Sequence, residues 1–412
     1  MFRRVAILLI CLAGHVRAGD DARPLDLRAC YDLALGSSES IGIAASEWRA
    51  AEARYRQTRD TLAPAVSLLA GEELQNDRSG SESGQFAARL RAEQTLYSGF
   101  RLTRLAEARE TEGRAAKLDE TRSRELLYLD VSDAFHLNLL YESDLVVLHQ
   151  LVEALEQLVA ELEKRLELGR SRRADLLNAK TDLAEARVDE ESTRGQFRAA
   201  RELLAFLINR PADSIQLTET SPFPATPELE TRLAAATLRA DVLAGEARVE
   251  ASQRDLAAAR AERKPQVAAE GNVYLYEDPD QEQEWNVMLT FELPIFDEGV
   301  IRSRAQEKLA QVHISTLNLS AVRRRAESEV RNAYIAFTTA VAQRGRLDEA
   351  ESSAAENYEV QKKDYELGRA SQLDTLNALA QLQRLRRRQV AAEVAARASL
   401  VRLHVAAGEV AP

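Results

Sequence analysis

The side chains that most often carry chemistry are sparse and scattered in this chain. His136, His149, His313 and His404 lie far apart, and no HExxH, CxxC or GxSxG motif and no phosphate-binding loop occurs. His149 and Glu153 have the i, i+4 spacing of a helical metal pair, but such a pair is more often a surface contact. The pattern argues against an enzyme and indicates neither a cofactor nor a metal site.

Glycine, arginine and aspartate instead recur together in two matching segments. Residues 166–183 read LELGRSRRADLLNAKTDL, and residues 365–382 read YELGRASQLDTLNALAQL, with nine of 18 positions identical. A glycine after a helix readily takes the positive φ of a C-terminal cap. Ser371 and Asp374 have the spacing of a capping box that opens a helix. The segments predict helical hairpins with tips at Gly169 and Gly368 and return helices over 171–209 and 371–407.

The similarity between the two halves extends beyond these hairpins. Other landmarks recur in the same order at offsets of 199 to 201: Val131, Ala134 and Phe135 with Val330, Ala333 and Tyr334, and Pro64 with Pro265. A period near 200 residues is too long for a solenoid repeat. The order predicts a duplicated unit, with one repeat over 19–211 and a second over 212–412.

Each predicted hairpin begins with a very long helix. The stretches 100–168 and 300–367 contain no proline and one glycine each, which at 1.5 Å per residue predicts helices of roughly 100 Å. In the first, apolar residues recur at alternating steps of four and three, the pattern of a coiled coil. These residues are Tyr141, Leu145, Leu148, Val152, Leu155, Val159, Leu162 and Leu166. The fold class is therefore mainly helical.

Two pairs of segments have the alternation of β-strands. Strands are predicted over 65–75, 85–97, 266–276 and 285–296, and Val287, Leu289 and Phe291 alternate with Met288 and Thr290. Their length of about ten residues suits a membrane-spanning strand, although a hairpin of a soluble sandwich is an alternative. Four strands cannot close a membrane barrel, so spanning strands would require several chains to share one barrel.

The N-terminus and the charge balance indicate the compartment. Arg3 and Arg4 precede a short apolar run and a small-residue site ending at Ala18, which predicts a signal peptide over 1–18. Cys11 follows a bulky isoleucine, which disfavours lipidation there. The net charge of -11 disfavours a nucleic-acid partner.

Taken together, the leader, the homologous halves, the strand pairs and the Leu-Gly-Arg tips resemble the TolC family of outer-membrane efflux proteins. The resemblance covers essentially all of the mature chain. It implies a homotrimer in the outer membrane of a Gram-negative bacterium, with a shared 12-stranded β-barrel and an α-barrel of helical hairpins in the periplasm. It also implies two protein partners, a periplasmic adaptor (membrane fusion) protein and an inner-membrane pump, and an exit duct for small molecules or proteins. A periplasmic coiled-coil adaptor or scaffold without a membrane barrel is the alternative function.

The resemblance also implies roles for residues at the two tips. Asp374 matches a carboxylate that narrows the entrance, and Asn377 stands where some members carry a second acid. Tyr365 matches a gate tyrosine with Asp175 as its acidic partner, while Arg369 lies one position before the place where some members carry a tip arginine. The residues expected to meet the adaptor are Gly169, Arg170, Gly368 and Ser371. Asp374 could equally act only as the helix cap described above.

Overall fold

The computed structural model of the chain describes residues 24–76, 82–219, 227–276 and 284–409. The predicted signal peptide, most of the two polar strand turns and part of the proline-rich segment between the halves lie outside these ranges.

The same order of helices and strands occurs in both halves of the chain. The first half contains α1 (Leu27–Ser37), α2 (Glu39–Asp60), β1 (Ala65–Asn76), β2 (Glu82–Tyr97), α3 (Arg101–Glu167) and α4 (Arg173–Ile208). After a short 3-10 turn, the second contains α5 (Leu229–Ala236), α6 (Ala240–Ala261), β3 (Gln266–Tyr276), β4 (Trp285–Glu292), α7 (Val300–Glu366) and α8 (Gln372–Ala407). The long helices α3 and α7 both have 67 residues, and the return helices α4 and α8 both have 36. No helix within the described ranges is long and apolar enough to cross a membrane.

Contacts divide the chain into two compact units, and each unit contains segments from both halves. The first unit comprises the chain up to Ser37, Asp130–Pro224 and Gln343–Ala395, and the second comprises Ser38–Leu129, Ala225–Ala342 and Ala396–Pro412. The two compact units therefore do not coincide with the two sequence repeats, and the duplication remains a prediction.

The core of the first unit follows the heptad pattern of α3. The buried heptad residues of α3 are Leu148, Val152, Leu155 and Leu162. Val152, Leu155 and Leu162 pack with apolar residues of the two return helices, namely Leu176, Ala179, Leu183 and Ala186 of α4 and Leu376 and Leu379 of α8. Both return helices therefore contribute to the apolar core around α3.

The second unit contains one antiparallel sheet with the strand order β1-β2-β3-β4. The two predicted strand pairs join through β2 and β3, where Leu90 lies opposite Val273. β1 and β4 form the edges of the sheet, and large apolar side chains on its strands are exposed. These exposed residues include Val66, Leu68, Trp285, Val287, Leu289 and Phe291. The small four-stranded sheet of the predicted fold class is thus confirmed.

The last strand is shorter than the sequence predicts. β4 ends at Glu292, whereas the alternation predicts a strand up to residue 296. Pro294 has no N–H for a ladder hydrogen bond, and its ring restricts the backbone of Leu293 before it. Proline therefore ends the ladder although the apolar pattern continues through Ile295 and Phe296, both strongly exposed.

Special backbone conformations connect the sheet to both long helices. Gly99 has a φ of 63°, and a Cβ at this position would lie 2.5 Å from Cβ of Lys264. Only glycine fits this close, left-handed turn. Before α7, the carboxylate of Asp297 accepts a hydrogen bond from the Ile301 amide at 2.7 Å, and this bond lowers the pKa of Asp297. Each strand pair therefore leads into its long helix through a locally specified turn.

Candidate functional site at the hairpin tips

Both hairpin tips end their long helices with the same hydrogen-bonding motif. The amide of Arg170 donates to the Arg165 carbonyl at 2.8 Å, and that of Arg369 donates to the Asp364 carbonyl at 2.7 Å. Gly169 and Gly368, which precede these two arginines, have φ values of 67° and 73°. This is the Schellman motif, in which a left-handed residue lets the chain satisfy the last helical carbonyls. The two glycines therefore adopt this left-handed conformation without the strain that a Cβ would add.

Asp374 forms the reciprocal capping box that its spacing predicts. The amide and hydroxyl of Ser371 donate to Asp374 Oδ2 at 3.0 and 2.6 Å, and the Asp374 amide donates back to the hydroxyl at 3.3 Å. The side-chain hydrogen bond from Ser371, followed by its backbone bond, lowers the pKa of Asp374. Asp374 is exposed, so it carries a solvent-facing negative charge at ordinary pH.

At the first tip, an arginine occupies the capping position. Arg172 precedes α4 without a side-chain cap, and its guanidinium instead donates to Asp175 at 3.1 and 3.2 Å. Asp175 and Asp374 occupy equivalent positions of the two matching segments. One carboxylate is thus neutralised by a neighbouring cation, whereas the other is held only by hydroxyl and amide groups.

In the single chain, the hydroxyl of Tyr365 is hydrogen-bonded to an arginine of α3. Arg165 of α3 donates to the Tyr365 hydroxyl at 2.9 Å, and its guanidinium carbon lies 5.0 Å from the ring centre. Arg165 also forms an ion pair with Glu161. Burial raises the pKa of Tyr365, while the positive charge of Arg165 opposes that rise. The Arg165–Tyr365 contact therefore ties α3 to α7, and the negative charge of Asp175 lies near enough to contribute to the raised pKa of Tyr365.

The remaining predicted tip residues are exposed. Gly169, Arg170, Gly368, Arg369 and Asn377 all face solvent in the described chain. The leucines beside the glycines, Leu168 and Leu367, are also exposed. The tips therefore present matching Leu-Gly-Arg surfaces.

Sequence reasoning missed Arg165 and Arg172. Arg172 lies three residues before Asp175, a helical ion-pair spacing that could have indicated its role. Arg165 is separated from Tyr365 by 200 residues, and no local spacing indicates that contact. Away from the tips, His149 is exposed and lies 3.4 Å from Glu153 and 3.6 Å from Glu190. Among the described residues, no group of three potential ligands could hold a metal ion.

A family comparison covers both halves of the chain. The model described as "Outer membrane efflux protein" matches residues 30–210 and 234–409. The chain belongs to this family. Outer membrane protein OprJ of Pseudomonas aeruginosa is 26% identical over 385 residues, which cover 86% of this chain and 78% of OprJ.

Solved structures share the fold of this efflux protein. VceC from Vibrio cholerae matches with a TM-score of 0.83 and 18% identity, covering 93% of this chain and 96% of VceC. The MtrE outer membrane channel of Neisseria gonorrhoeae matches with a TM-score of 0.80 and 20% identity, covering 93% and 88%. CusC matches with a TM-score of 0.82 and 20% identity, covering 93% and 92%. The predicted resemblance to TolC-like proteins is confirmed.

Membership of the family defines the broad role and location of the chain. It is a protein of the outer membrane of a Gram-negative bacterium and serves efflux. The family consists of transporters rather than enzymes.

Replacing Arg165 with methionine is expected to loosen the tips of this efflux protein locally. The change removes a hydrogen bond and a cation–π contact, together worth about 1–2 kcal/mol, so hydrogen exchange of amides near Tyr365 should accelerate about 5- to 30-fold. Tyr365→Phe keeps the ring and should have a smaller effect. Arg369→Met is the matched control because Arg369 is exposed at the same tip. Equal exchange in the Arg165 and Arg369 variants would contradict the proposed tie.

Proposed function

We propose that this chain forms a homotrimeric outer-membrane channel in which each copy contributes four strands to one 12-stranded β-barrel. The helical hairpins then form an α-barrel that extends the duct into the periplasm. An inner-membrane pump and a periplasmic adaptor deliver small molecules or proteins to this duct, as in a tripartite efflux or type I secretion system. The matching order of elements in the halves supports an origin by duplication of one repeat.

The unpaired edges of the four-stranded sheet carry this proposal. β1 and β4 each have a hydrogen-bonded neighbour on one side only in the described chain. An open edge exposes backbone N–H and C=O groups, and lipid offers them no hydrogen-bond partners. The exposed apolar side chains of these strands suit contact with lipid, and closure would follow if β4 of one copy paired with β1 of the next. Three copies would supply twelve strands with no open edge.

Cysteine crosslinking between the edge strands tests the barrel. Each variant carries two cysteines, one in each edge strand. The first is moved through residues 66–70 of β1 and the second through residues 287–291 of β4. After predicted signal cleavage, the only native cysteine is Cys30, which is buried. Oxidation in isolated outer membranes should produce dimers and closed trimers on denaturing gels for at least one register.

Two controls distinguish barrel formation from random collision. Each single-cysteine variant should give no closed trimer, and cysteines at Leu90 and Val273, which are paired within one sheet, should react within one chain. Failure of every β1–β4 pair to crosslink, with the internal pair still reactive, would contradict the shared barrel. Extraction of the protein by high salt alone would instead support a scaffold without a membrane barrel.

The exposed tips support a docking role toward the adaptor. The ends of the hairpins contain Gly169, Arg170, Gly368 and Ser371. Within the described chain, no other atom lies within 4 Å of a Cβ built on either glycine.

Replacing Gly368 with valine forces a β-branched residue into the left-handed region, at a cost of about 1–3 kcal/mol. Adaptor crosslinking to the tip and export should fall while the trimer persists. The control is Gly345→Val, within α7 and also without neighbours. Unchanged adaptor crosslinking in Gly169→Val and Gly368→Val would place docking elsewhere.

Asp374 is proposed to line the periplasmic entrance together with Asn377. In a symmetric trimer its exposed, uncompensated carboxylate would appear three times around the axis, and a ring of carboxylates favours cations in a pore. Asp175 would contribute less charge because Arg172 neutralises it. Tyr365 would act through its tie to Arg165, and the exposed Arg369 would lie at the rim.

Replacing Asp374 with asparagine is expected to reduce cation selectivity and block by multivalent cations. The change removes the charge and retains side-chain size and part of the capping hydrogen bonds. Purified channels in planar bilayers would show the difference most clearly at low salt, where screening is weak. Asp175→Asn is the matched control and should change selectivity less. If Asp374→Asn alters only thermal stability, Asp374 is a helix cap and no part of the gate.

A further inference from the structure

A cleft in the first unit lies between the two return helices. It has a volume of about 610 Å³ and is lined by α3, α4 and α8. Leu151, Leu155, Leu376 and Leu379 supply an apolar floor. This volume is within the range of about 300–1,000 Å³ that is typical of sites for small organic molecules.

The two walls of the cleft carry opposite charges. Asp182 and Glu185 line it from α4, and Arg384 and Arg388 line it from α8. Within the described ranges, these four groups form no ion pair, although the chain pairs many other charges. Burial, followed by the nearby charge of Glu185, raises the pKa of Asp182. A cation on the acidic side and an anion on the basic side would therefore both be stabilised.

A neighbouring ion pair shows that these walls are close together. Arg387 of α8 donates to Asp144 of α3 at 2.7 and 2.9 Å and to Asp189 of α4 at 3.1 Å. One arginine side chain thus spans the cleft and is itself neutralised. A small molecule can consequently contact both walls at once beside this bridge.

The cleft also contains a buried acceptor without a donor. Gln383 is 5% exposed and lines the cleft, and its Oε1 has no hydrogen-bond partner among the described residues. A buried carbonyl oxygen without a donor is unfavourable, and such groups are usually satisfied by water or a ligand. An N–H donor bound in the cleft would satisfy this oxygen once the Gln383 side chain turns toward the cleft.

We propose that this cleft binds a small zwitterionic amphiphile with an apolar body, an amine and a carboxylate. The ammonium group faces Asp182 and Glu185, the carboxylate faces Arg384 and Arg388, and the apolar body covers the leucine floor. An N–H of the amine donates to Gln383 Oε1. The site concerns binding by the chain itself and does not depend on the proposed channel function.

Calorimetric titration of the full chain in lipid nanodiscs tests this site with 12-aminododecanoic acid. Dodecanoic acid and dodecylamine are matched probes that each lack one charged group, and empty nanodiscs measure partition into lipid. We expect saturable binding of one molecule per chain. The zwitterion should bind about tenfold more tightly than either single-charge probe, because each lost group forfeits a charge-assisted hydrogen bond.

Three variants assign the contacts. The double variant Asp182→Asn, Glu185→Gln should bind 12-aminododecanoic acid no more tightly than dodecanoic acid. The double variant Arg384→Gln, Arg388→Gln should bind it no more tightly than dodecylamine. Gln383→Leu should weaken binding about fivefold. The control is Arg346→Gln, an exposed arginine of α7 outside the cleft.

Three results would overturn the proposal. These are binding no greater than in empty nanodiscs, equal affinity for all three probes, and affinity unchanged by every cleft variant.

A cysteine at Ala380, in the cleft lining, provides an independent measurement. We expect it to react with a maleimide in the native oligomer and to be protected by the zwitterion. Complete protection without the probe would show that a second copy covers the cleft, and this fourth result would equally overturn the proposal. Circular dichroism and size-exclusion chromatography verify that each variant folds.

Discussion

Replacing Arg239 with methionine is expected to lower the free energy of unfolding by about 3 kcal/mol. Arg239 is 1% exposed, and its guanidinium donates to Asp241 at 2.7 and 3.0 Å and to Glu329 at 2.7 Å. It also donates to the Ala406 carbonyl at 3.0 Å, near the end of α8. Removing one partner of a buried ion pair typically costs about 3–5 kcal/mol. The lower value is expected because Asp241 and Glu329 are partly exposed.

The environment of Arg239 favours a charged guanidinium at this position. Burial alone would lower its pKa, but the hydrogen bonds from its guanidinium to both carboxylates raise it, so the group stays charged. Gly408, with a φ of 74°, ends α8 against this side chain, and a Cβ there would lie 2.8 Å from Arg239 Cγ. Lysine cannot reproduce a planar fork of several donors, so Arg239→Lys should recover only part of the loss.

Urea denaturation in detergent, followed by the helical circular dichroism signal, measures the effect. Arg248→Met is the matched control because Arg248 forms an ion pair with Asp119 on the surface of the same unit, with both side chains largely exposed. Such surface pairs contribute about 0–1 kcal/mol. If both variants unfold at the same urea concentration, Arg239 does not stabilise the second unit as proposed.

Replacing Leu289 with arginine is expected to prevent stable assembly in the outer membrane. Leu289 lies in the middle of β4 on the same face as Val287 and Phe291, and all three are strongly exposed in the single chain. If this face contacts lipid, an arginine near the bilayer midplane costs about 2–4 kcal/mol. Three copies would multiply this cost in a trimer. The amount of folded, heat-modifiable trimer in outer membranes measures the outcome.

Thr290→Arg is the matched control for the orientation of β4. Thr290 is the next residue along the strand and therefore points to the opposite face, toward the proposed lumen. An arginine there remains hydrated, so we expect trimer yield close to that of the unmodified protein. Equal losses for Leu289→Arg and Thr290→Arg would contradict the proposed orientation, and a greater loss for Thr290→Arg would reverse it.

Local features of the fold could be predicted from sequence because they depend on neighbouring residues. The positive φ of Gly169 and Gly368 follows from their place after a helix, and the capping box of Asp374 follows from a serine three residues earlier. Strand alternation has the same local origin, since successive side chains point to opposite faces. The end of β4 was predicted too late because the apolar pattern outweighed Pro294.

Contacts between distant helices could not be predicted in the same way. An ideal helix drifts by about 20° per heptad relative to a 3.5-residue repeat, so the facing direction becomes uncertain along a 67-residue helix. The tertiary structure therefore decided that Tyr365 contacts Arg165 and that Arg387 bridges Asp144 and Asp189. By contrast, the sequence by itself determined the helical hairpins, their glycine caps and the alternation along the strands, because spacings of two to four residues suffice for each of these. The family followed from a resemblance that extends over the whole chain. Which charges meet depends on how several long helices rotate and pack together, and only the three-dimensional structure specifies that arrangement.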